Sequence, residues 1–232
     1  MAGRRRTVKG RLHGLGWWLA GIALLVGLLF WFAIHWRPSV ESYPVQGVDV
    51  SEIQGAIAWP TVAAAGVRFA YIKATEGADI RDPRFTENWT GTAKAGVTHG
   101  AYHRYSLCRL ASDQATNYIS TVPRDADALP AAIQLDFEGD CKERPARSVI
   151  ISEIEGFAAL VEAHTGKPIV LYLTQDFEEL YQVTHATDRQ IWLRSAAFPP
   201  NFGAHAWTMW QANRIRQVPG IAGPTHWNVI RP

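Results

Sequence analysis

The apolar positions of this chain follow two different patterns. Residues 15–34, LGWWLAGIALLVGLLFWFAI, form an unbroken apolar run without a charged side chain. At about 1.5 Å per residue such a helix crosses the roughly 30 Å hydrocarbon layer of a bilayer. From residue 45 onward the pattern becomes short β-type segments: VQGVDVS (45–51), FAYIKAT (69–75), HGAYHRY (99–105), AAIQLDFE (131–138), IVLYLT (169–174), IWLRSA (191–196), AWTMWQAN (206–213) and THWNVI (225–230). Between the early ones lie WPTVAAAG, RFTENWTGTAKAG, LASDQATNYISTV and RSVIISEIEGFAALVEAHTG, which read as helices. In the longest, Ile150, Ile154, Phe157, Ala158 and Val161 recur at helical spacing. Gly66, Gly96 and Gly166 stand where helices end, each just before the next strand.

Strand followed by helix, repeated, predicts a parallel sheet. Eight strands in about 190 residues predict an α/β fold, an irregular TIM-like (β/α) barrel of one domain. After residue 175 the gaps are too short for full helices, so the last strands are expected to be joined irregularly or to run antiparallel. The predicted organisation is a basic cytoplasmic N-terminus (1–14), a transmembrane signal anchor (15–36), a polar linker RPSVESYP (37–44) and a catalytic domain (45–232). An anchor is preferred to a cleaved signal peptide because the run exceeds the usual h-region and ends in FAIHWRP without an A-x-A-like site. Trp17, Trp18, Trp31 and Trp36 suit the two interfaces, and Arg4, Arg5, Arg6, Lys9 and Arg11 ahead of the run place that end in the cytoplasm.

Export changes the reading of charge. Five of the 23 Lys and Arg precede the span, leaving 18 against 21 acids, so the exported part is near −3 although the whole chain is +2. A nucleic-acid partner is not expected. The only cysteines, Cys108 and Cys141, lie in the exported part, where an even pair forms either a disulfide or two buried thiols. No Cys/His spacing supports a metal site.

Barrel enzymes carry their chemistry at the C-terminal ends of the strands. Asp49 is near the end of the first, Glu76 just past the second, His103 and Tyr105 at the third, Asp136 and Glu138 at the fourth and Tyr172 at the fifth. The stretch IQLDFEGD (133–140) holds three acids, Asp136, Glu138 and Asp140. On a strand, Asp136 and Glu138 at i and i+2 share a face. Two such carboxylates repel, and one is expected to keep a proton near neutral pH, as a general acid requires. The alternatives are solvated acids, or acids paired with Lys73 or Arg104; Asp49 or Ser51 can equally be an N-cap, and Lys73 and Glu76 a plain ion pair.

Taken together, GVDVSEIQGAIAWPTVAAAGVRFAYIKATEG, DPRFTENWTGTAKAGVTHGAYHRY, LPAAIQLDFEG and WTMWQA, in this order, closely resemble glycoside hydrolase family 25, the Chalaropsis-type lysozymes or N-acetylmuramidases. The resemblance covers nearly all of residues 45–230. It implies an irregular eight-stranded (β/α) barrel that cuts the β-1,4 bond between N-acetylmuramic acid and N-acetylglucosamine in peptidoglycan. It also implies Glu138 as general acid, Asp136 as the residue that orients the substrate acetamido group, and Asp49 as a third acid lining the site. A covalent aspartyl species and an attack by the 2-acetamido group are both open; substrate assistance is favoured, because three acids can act as donor, orienter and electrostatic stabiliser.

One departure stands out. Where the family typically reads G-x-V-D-x-N, this chain has GPTHWN: Gly223 and Asn228 match, and His226 takes the place of a fourth acid. If it points into the site, a His there is expected to pair with Glu138 or Asp136 and lower that acid's pKa, or alternatively to serve as a base; a catalytically impaired peptidoglycan-binding protein is the alternative reading. His103, Tyr105, Tyr172, Trp192, Trp210 and Gln211 are candidates for a saccharide groove, with barrel core as the ordinary alternative. A Cys108–Cys141 disulfide would staple the loops after the third and fourth strands. The sequence thus predicts a single-pass protein of a bacterial inner membrane, its muramidase domain in the periplasm or outside, acting on peptidoglycan glycan strands without metal or cofactor.

Overall fold

The structure is a computed structural model describing residues 4–139 and 141–232, with side chains from residue 16 onward. It divides after Trp36 into two compact units. The first holds helix α1 (Arg4–His35), whose segment Gly16–His35 has a mean hydropathy of 2.2 and is long and apolar enough to cross a membrane.

The second unit, Arg37–Pro232, is the barrel. Its strands are β1 (Gln46–Val50), β2 (Phe69–Glu76), β3 (Ile80–Arg81), β4 (Thr98–Arg104), β5 (Ala132–Leu135), β6 (Val170–Leu173), β7 (Ile191–Arg194), β8 (Met209–Arg216) and β9 (Thr225–Ile230). All eight expected strands are present. The two-residue β3, which folds back antiparallel on β2, is the addition. Strands β1, β2 and β4–β8 run parallel to their neighbours, while β9 pairs antiparallel with both β8 and β1 and so closes the barrel. The expected weakening of the pattern after residue 175 has this form: α6 (Gln175–Tyr181) is two turns long, β7 reaches β8 without an α-helix, and β9 returns antiparallel.

The outer helices are α2 (Trp59–Ala64), α3 (Phe85–Lys94), α4 (Ala111–Thr121) and α5 (Arg147–Thr165). The buried face of α5 is the predicted set Ile150, Ile154, Phe157, Ala158 and Val161. Gly66, Gly96 and Gly166 follow α2, α3 and α5 with φ of 92°, 70° and 72°, the left-handed region that ends a helix cheaply only in glycine. Residues 37–44, expected as a linker, fold onto the barrel: the Gln46 Nε2 amide donates to the carbonyls of Pro38 (3.0 Å) and Tyr43 (2.9 Å), and the Tyr43 ring meets Trp210 edge-on at 5.7 Å.

Alternation along each strand sends Phe69, Tyr71, Tyr102, Ala132, Val170, Tyr172, Trp192 and Met209 into the barrel interior. Tyr172 stacks on Trp192 with centroids 3.9 Å apart, and Tyr71 leans on the same indole at 5.0 Å. This aromatic floor fills the lower barrel and leaves polar side chains only at the mouth. Gly47 makes the fit possible. A Cβ there would lie 2.3 Å from the Phe69 carbonyl oxygen and 2.6 Å from its ring. Gly47→Ala is therefore expected to destabilise the barrel by about 2 kcal/mol or more, since the obstructing atom is backbone and cannot rotate away. Denaturant unfolding of both proteins measures it, and a change within experimental scatter would show that the β1–β2 seam is looser than described.

Candidate active site

The strand predicted to carry both acids of LDFE stops at Leu135. Asp136 ends it. One carboxylate oxygen accepts the Glu138 N–H at 2.9 Å and the other accepts the Gln134 side-chain amide, an Asx-type turn that competes with the ladder. Gly139 continues the bend with φ of 104°. Asp136 and Glu138 therefore do not share a strand face: the Asp136 side chain is 2 % exposed, the Glu138 side chain 48 %. Asp140 lies outside the described residues.

The three candidate acids nevertheless join one network. Arg194, the last residue of β7, donates from Nη1 to Glu138 Oε1 at 2.8 Å, lies 3.6 Å from Asp136 Oδ2 through Nη2, and reaches the Tyr172 hydroxyl at 3.4 Å. That hydroxyl also meets the Gln211 amide, which donates to Asp49 Oδ1 at 3.0 Å. Arg214 donates to the same Glu138 Oε1 at 3.0 Å, and Arg104 bridges Asp136 and Glu76 at 3.6 Å each. Lys73 and Glu76 form the anticipated rim ion pair at 2.7 Å, and Lys73 lies 3.6 Å from Glu52.

For Glu138 these cations overturn the expectation that carboxylate repulsion would leave it protonated. Burial pushes the Glu138 carboxyl up, but the charges of Arg194 and Arg214 outweigh it and hold the pKa below the ordinary glutamate range. Burial likewise pushes Asp49 up, and His226, Asn228 and Gln211 together hold it down. Asp82, just after β3, is shifted in the opposite direction. Burial, and a hydrogen bond shared with Glu52, push it up to about 7. No sequence signal singled out that pair.

His226 faces the mouth but pairs with neither acid of LDFE. It stands directly opposite Asp49 across the β1–β9 ladder, its Nδ1 2.7 Å from Asp49 Oδ2. Asp49 is ionised, so Nδ1 carries the hydrogen and donates. Asn228 adds a third donor to Asp49 at 2.7 Å while accepting the Trp192 indole N–H at 3.1 Å.

The other candidates divide by strand parity. Tyr172, Trp192 and Gln211 point into the barrel: the first two form its floor and the third holds Asp49. Tyr105 borders a small pocket with Arg104, Asp136 and Glu138, although its ring packs edge-on against Phe157. His103 turns outward, stacked on Phe157 of α5 at 4.9 Å and bonded to Thr75 and Gln114, and burial pushes its pKa down to about 4. Trp210 also turns outward, donating to the Ser195 carbonyl. His103 and Trp210 thus lie away from the cleft. Cys108 and Cys141 form the disulfide and staple the loops after β4 and β5.

The family model for glycosyl hydrolases family 25 matches residues 48–221. The chain belongs to glycosyl hydrolase family 25. Its relatives include the uncharacterized protein YegX of Escherichia coli K12, 33 % identical over 196 residues (82 % of this chain, 70 % of YegX). Lysozyme M1 of Streptomyces globisporus is 31 % identical over 198 residues (77 % of this chain, 65 % of the lysozyme). A family 25 glycosyl hydrolase from Bacillus anthracis has a similar solved structure, with a TM-score of 0.79 and 33 % identity over 84 % of this chain and 93 % of that one. The eight-stranded mixed barrel described above is this family 25 fold.

Two residues of this network, Arg194 and Arg214, escaped the sequence reading. Arg194 was legible in principle, because a charged residue at the inward parity of IWLR must face the mouth. Arg214 was not, because register shifts in β8 after Gln211 break the alternation. Arg194→Met leaves Asp136 buried with one cation fewer and is expected to cost about 3 kcal/mol, read from denaturant unfolding; a neutral effect would mean that Arg104 alone suffices.

His226→Asp tests the other end of the network. In the wild type, the depressed Asp49 pKa contributes stability above the unfolded value of about 4 that is lost as pH falls through the folded pKa. A second carboxylate opposite Asp49 reverses the sign, because the pair then holds a proton and its repulsion grows as pH rises. Relative to wild type, the variant should be more stable at pH 5 than at pH 7 by about 1 kcal/mol. Thermal unfolding at the two pH values is the check, and parallel pH profiles would contradict the pairing.

Proposed function

We propose that the chain is a peptidoglycan hydrolase of the muramidase type, cutting the β-1,4 bond between N-acetylmuramic acid and N-acetylglucosamine. The observation that carries the reading is the joining of Asp49, Asp136 and Glu138 through Arg194, Tyr172 and Gln211 at the mouth of a family 25 barrel. The relative named lysozyme M1 supports the same substrate.

In this reading Glu138, the more exposed acid, protonates the departing glycosidic oxygen. Asp136, immobilised by Gln134 and the Glu138 N–H, orients the acetamido group of the sugar. Asp49 stays ionised and stabilises positive charge developing on the ring. Attack by the acetamido oxygen fits this division of labour, because it leaves every carboxylate a role other than nucleophile.

The helix at residues 15–36 would serve as a signal anchor in a bacterial cytoplasmic membrane, with residues 1–14 inside and the domain of residues 45–232 on the periplasmic or outer side, behind residues 37–44. What supports it is the apolar length of the Gly16–His35 segment and the basic residues ahead of it. Tethered in this way, the enzyme would reach only cell wall close to the membrane.

A second reading, a peptidoglycan-binding protein without turnover, is favoured by one observation: Arg194 and Arg214 both pair with Glu138, which holds the proposed proton donor ionised. Digestion of purified peptidoglycan separates the two. Wild type is expected to release new reducing-end muramic acid, and Glu138→Gln to lower the rate by about 10²–10⁴-fold. Release from His226→Asp alone would instead favour the binding reading.

A further inference from the structure

The two arginines on Glu138 are not equivalent. Arg194 is fixed: its side chain is 9 % exposed, and its guanidinium sits by the Tyr172 ring and hydroxyl. Arg214 is 45 % exposed, lies beyond the register shift of β8, and holds Glu138 through one Nη on an oxygen that Arg194 already occupies. An end-on contact to a shared oxygen uses the fork of a guanidinium poorly, and a free carboxylate offers Arg214 two parallel N–H···O bonds in its place.

Among the described residues the network leaves buried polar atoms of both kinds unpartnered, the acceptor Gln211 Oε1 and the donor Arg194 Nε. Arg194 Nε is buried without an acceptor, although its side chain is more than nine-tenths buried and turned into the network. Among the described residues, Arg104, Arg144, Arg194 and Arg214 stand around Glu138, with the carboxylates of Glu76 and Asp136.

We propose that Arg214, backed by Arg194, is a recognition site for a carboxylate carried by the glycan, and that binding this carboxylate draws Arg214 away from Glu138. The proposal rests on the muramidase reading for the identity of the sugar. It makes a charged substituent of the substrate the group that frees the acid. Neutral N-acetylglucosamine polymers lack that group, and muramic acid carries it. The carboxylate has two possible sources: the lactyl group of an unsubstituted muramic acid, and the free acid groups of a peptide attached there.

Binding separates these without requiring turnover. The full chain in detergent is titrated at pH 7 with the disaccharide N-acetylglucosaminyl-N-acetylmuramic acid, which lacks the bond to be cut. Its lactyl methyl ester, its alanyl-isoglutamate conjugate and the fully amidated conjugate follow. Wild type is expected to prefer an acid form over its ester or amide by about ten-fold, the scale of one bidentate charged contact. Preference within the first pair assigns the lactyl carboxylate; preference within the second assigns the peptide acids. Arg214→Gln is expected to bind acid and neutral forms alike, and Arg214→Lys to fall between. Equal binding of all four ligands by wild type, or an undiminished preference in Arg214→Gln, overturns the proposal. A preserved preference together with no hydrolysis of peptidoglycan would leave this site standing and remove the muramidase reading alone.

Discussion

A buried carboxylate is tolerated only when something opposite in sign comes with it, and at this barrel mouth Arg194 meets most of that demand. Its guanidinium touches the acid that ends β5, the acid two residues further on, and a tyrosine hydroxyl that leads through Gln211 to the acid of β1. Isolated charges in such a setting would neutralise. Paired as they are, Asp49 and Glu138 stay ionised despite their burial. The three carboxylates converge because a cation on β7 and neutral donors on β8 and β9 lie between them.

Closure of the barrel decides which donors arrive. Strand β9 enters antiparallel between β8 and β1, and this sets His226 and Asn228 beside Asp49. His226 therefore acts first on Asp49, at the opposite side of the network from Glu138. Below these groups the Tyr71, Tyr172 and Trp192 floor blocks the lower barrel, so that any ligand is confined to the mouth. The disulfide between the loops after β4 and β5 restrains the segment that carries Glu138.

The resting state is one in which Glu138, the acid proposed as proton donor, is ionised. For a glycoside hydrolase this is a functional tension, since the donor must hold a proton when the bond breaks. The proposed resolution uses the unequal settings of the two arginines: one is buried beside an aromatic ring, the other sits half in solvent on an irregular strand.

Much of the fold was written in local pattern. Eight strands, the helices between the early ones, the buried face of α5 and three glycine helix ends all follow from periodicity and from φ preferences, which depend on near neighbours in the chain. The motifs GVDVS and LDFEG marked the acids, but His103, Tyr105, Tyr172, Trp192, Trp210 and Gln211 stayed undivided between saccharide groove and barrel core. Tertiary structure alone decided the rest. Asp136 ends its strand by bonding the backbone of Glu138, β8 slips register so that Arg214 reaches the mouth, and antiparallel β9 brings His226 to Asp49 instead of Glu138. The ionisation of Asp49 and Glu138 followed from those contacts. Charge interactions act through space between residues as far apart in the chain as Asp49 and His226, and no local pattern specifies which pairs the closing of a barrel will bring together.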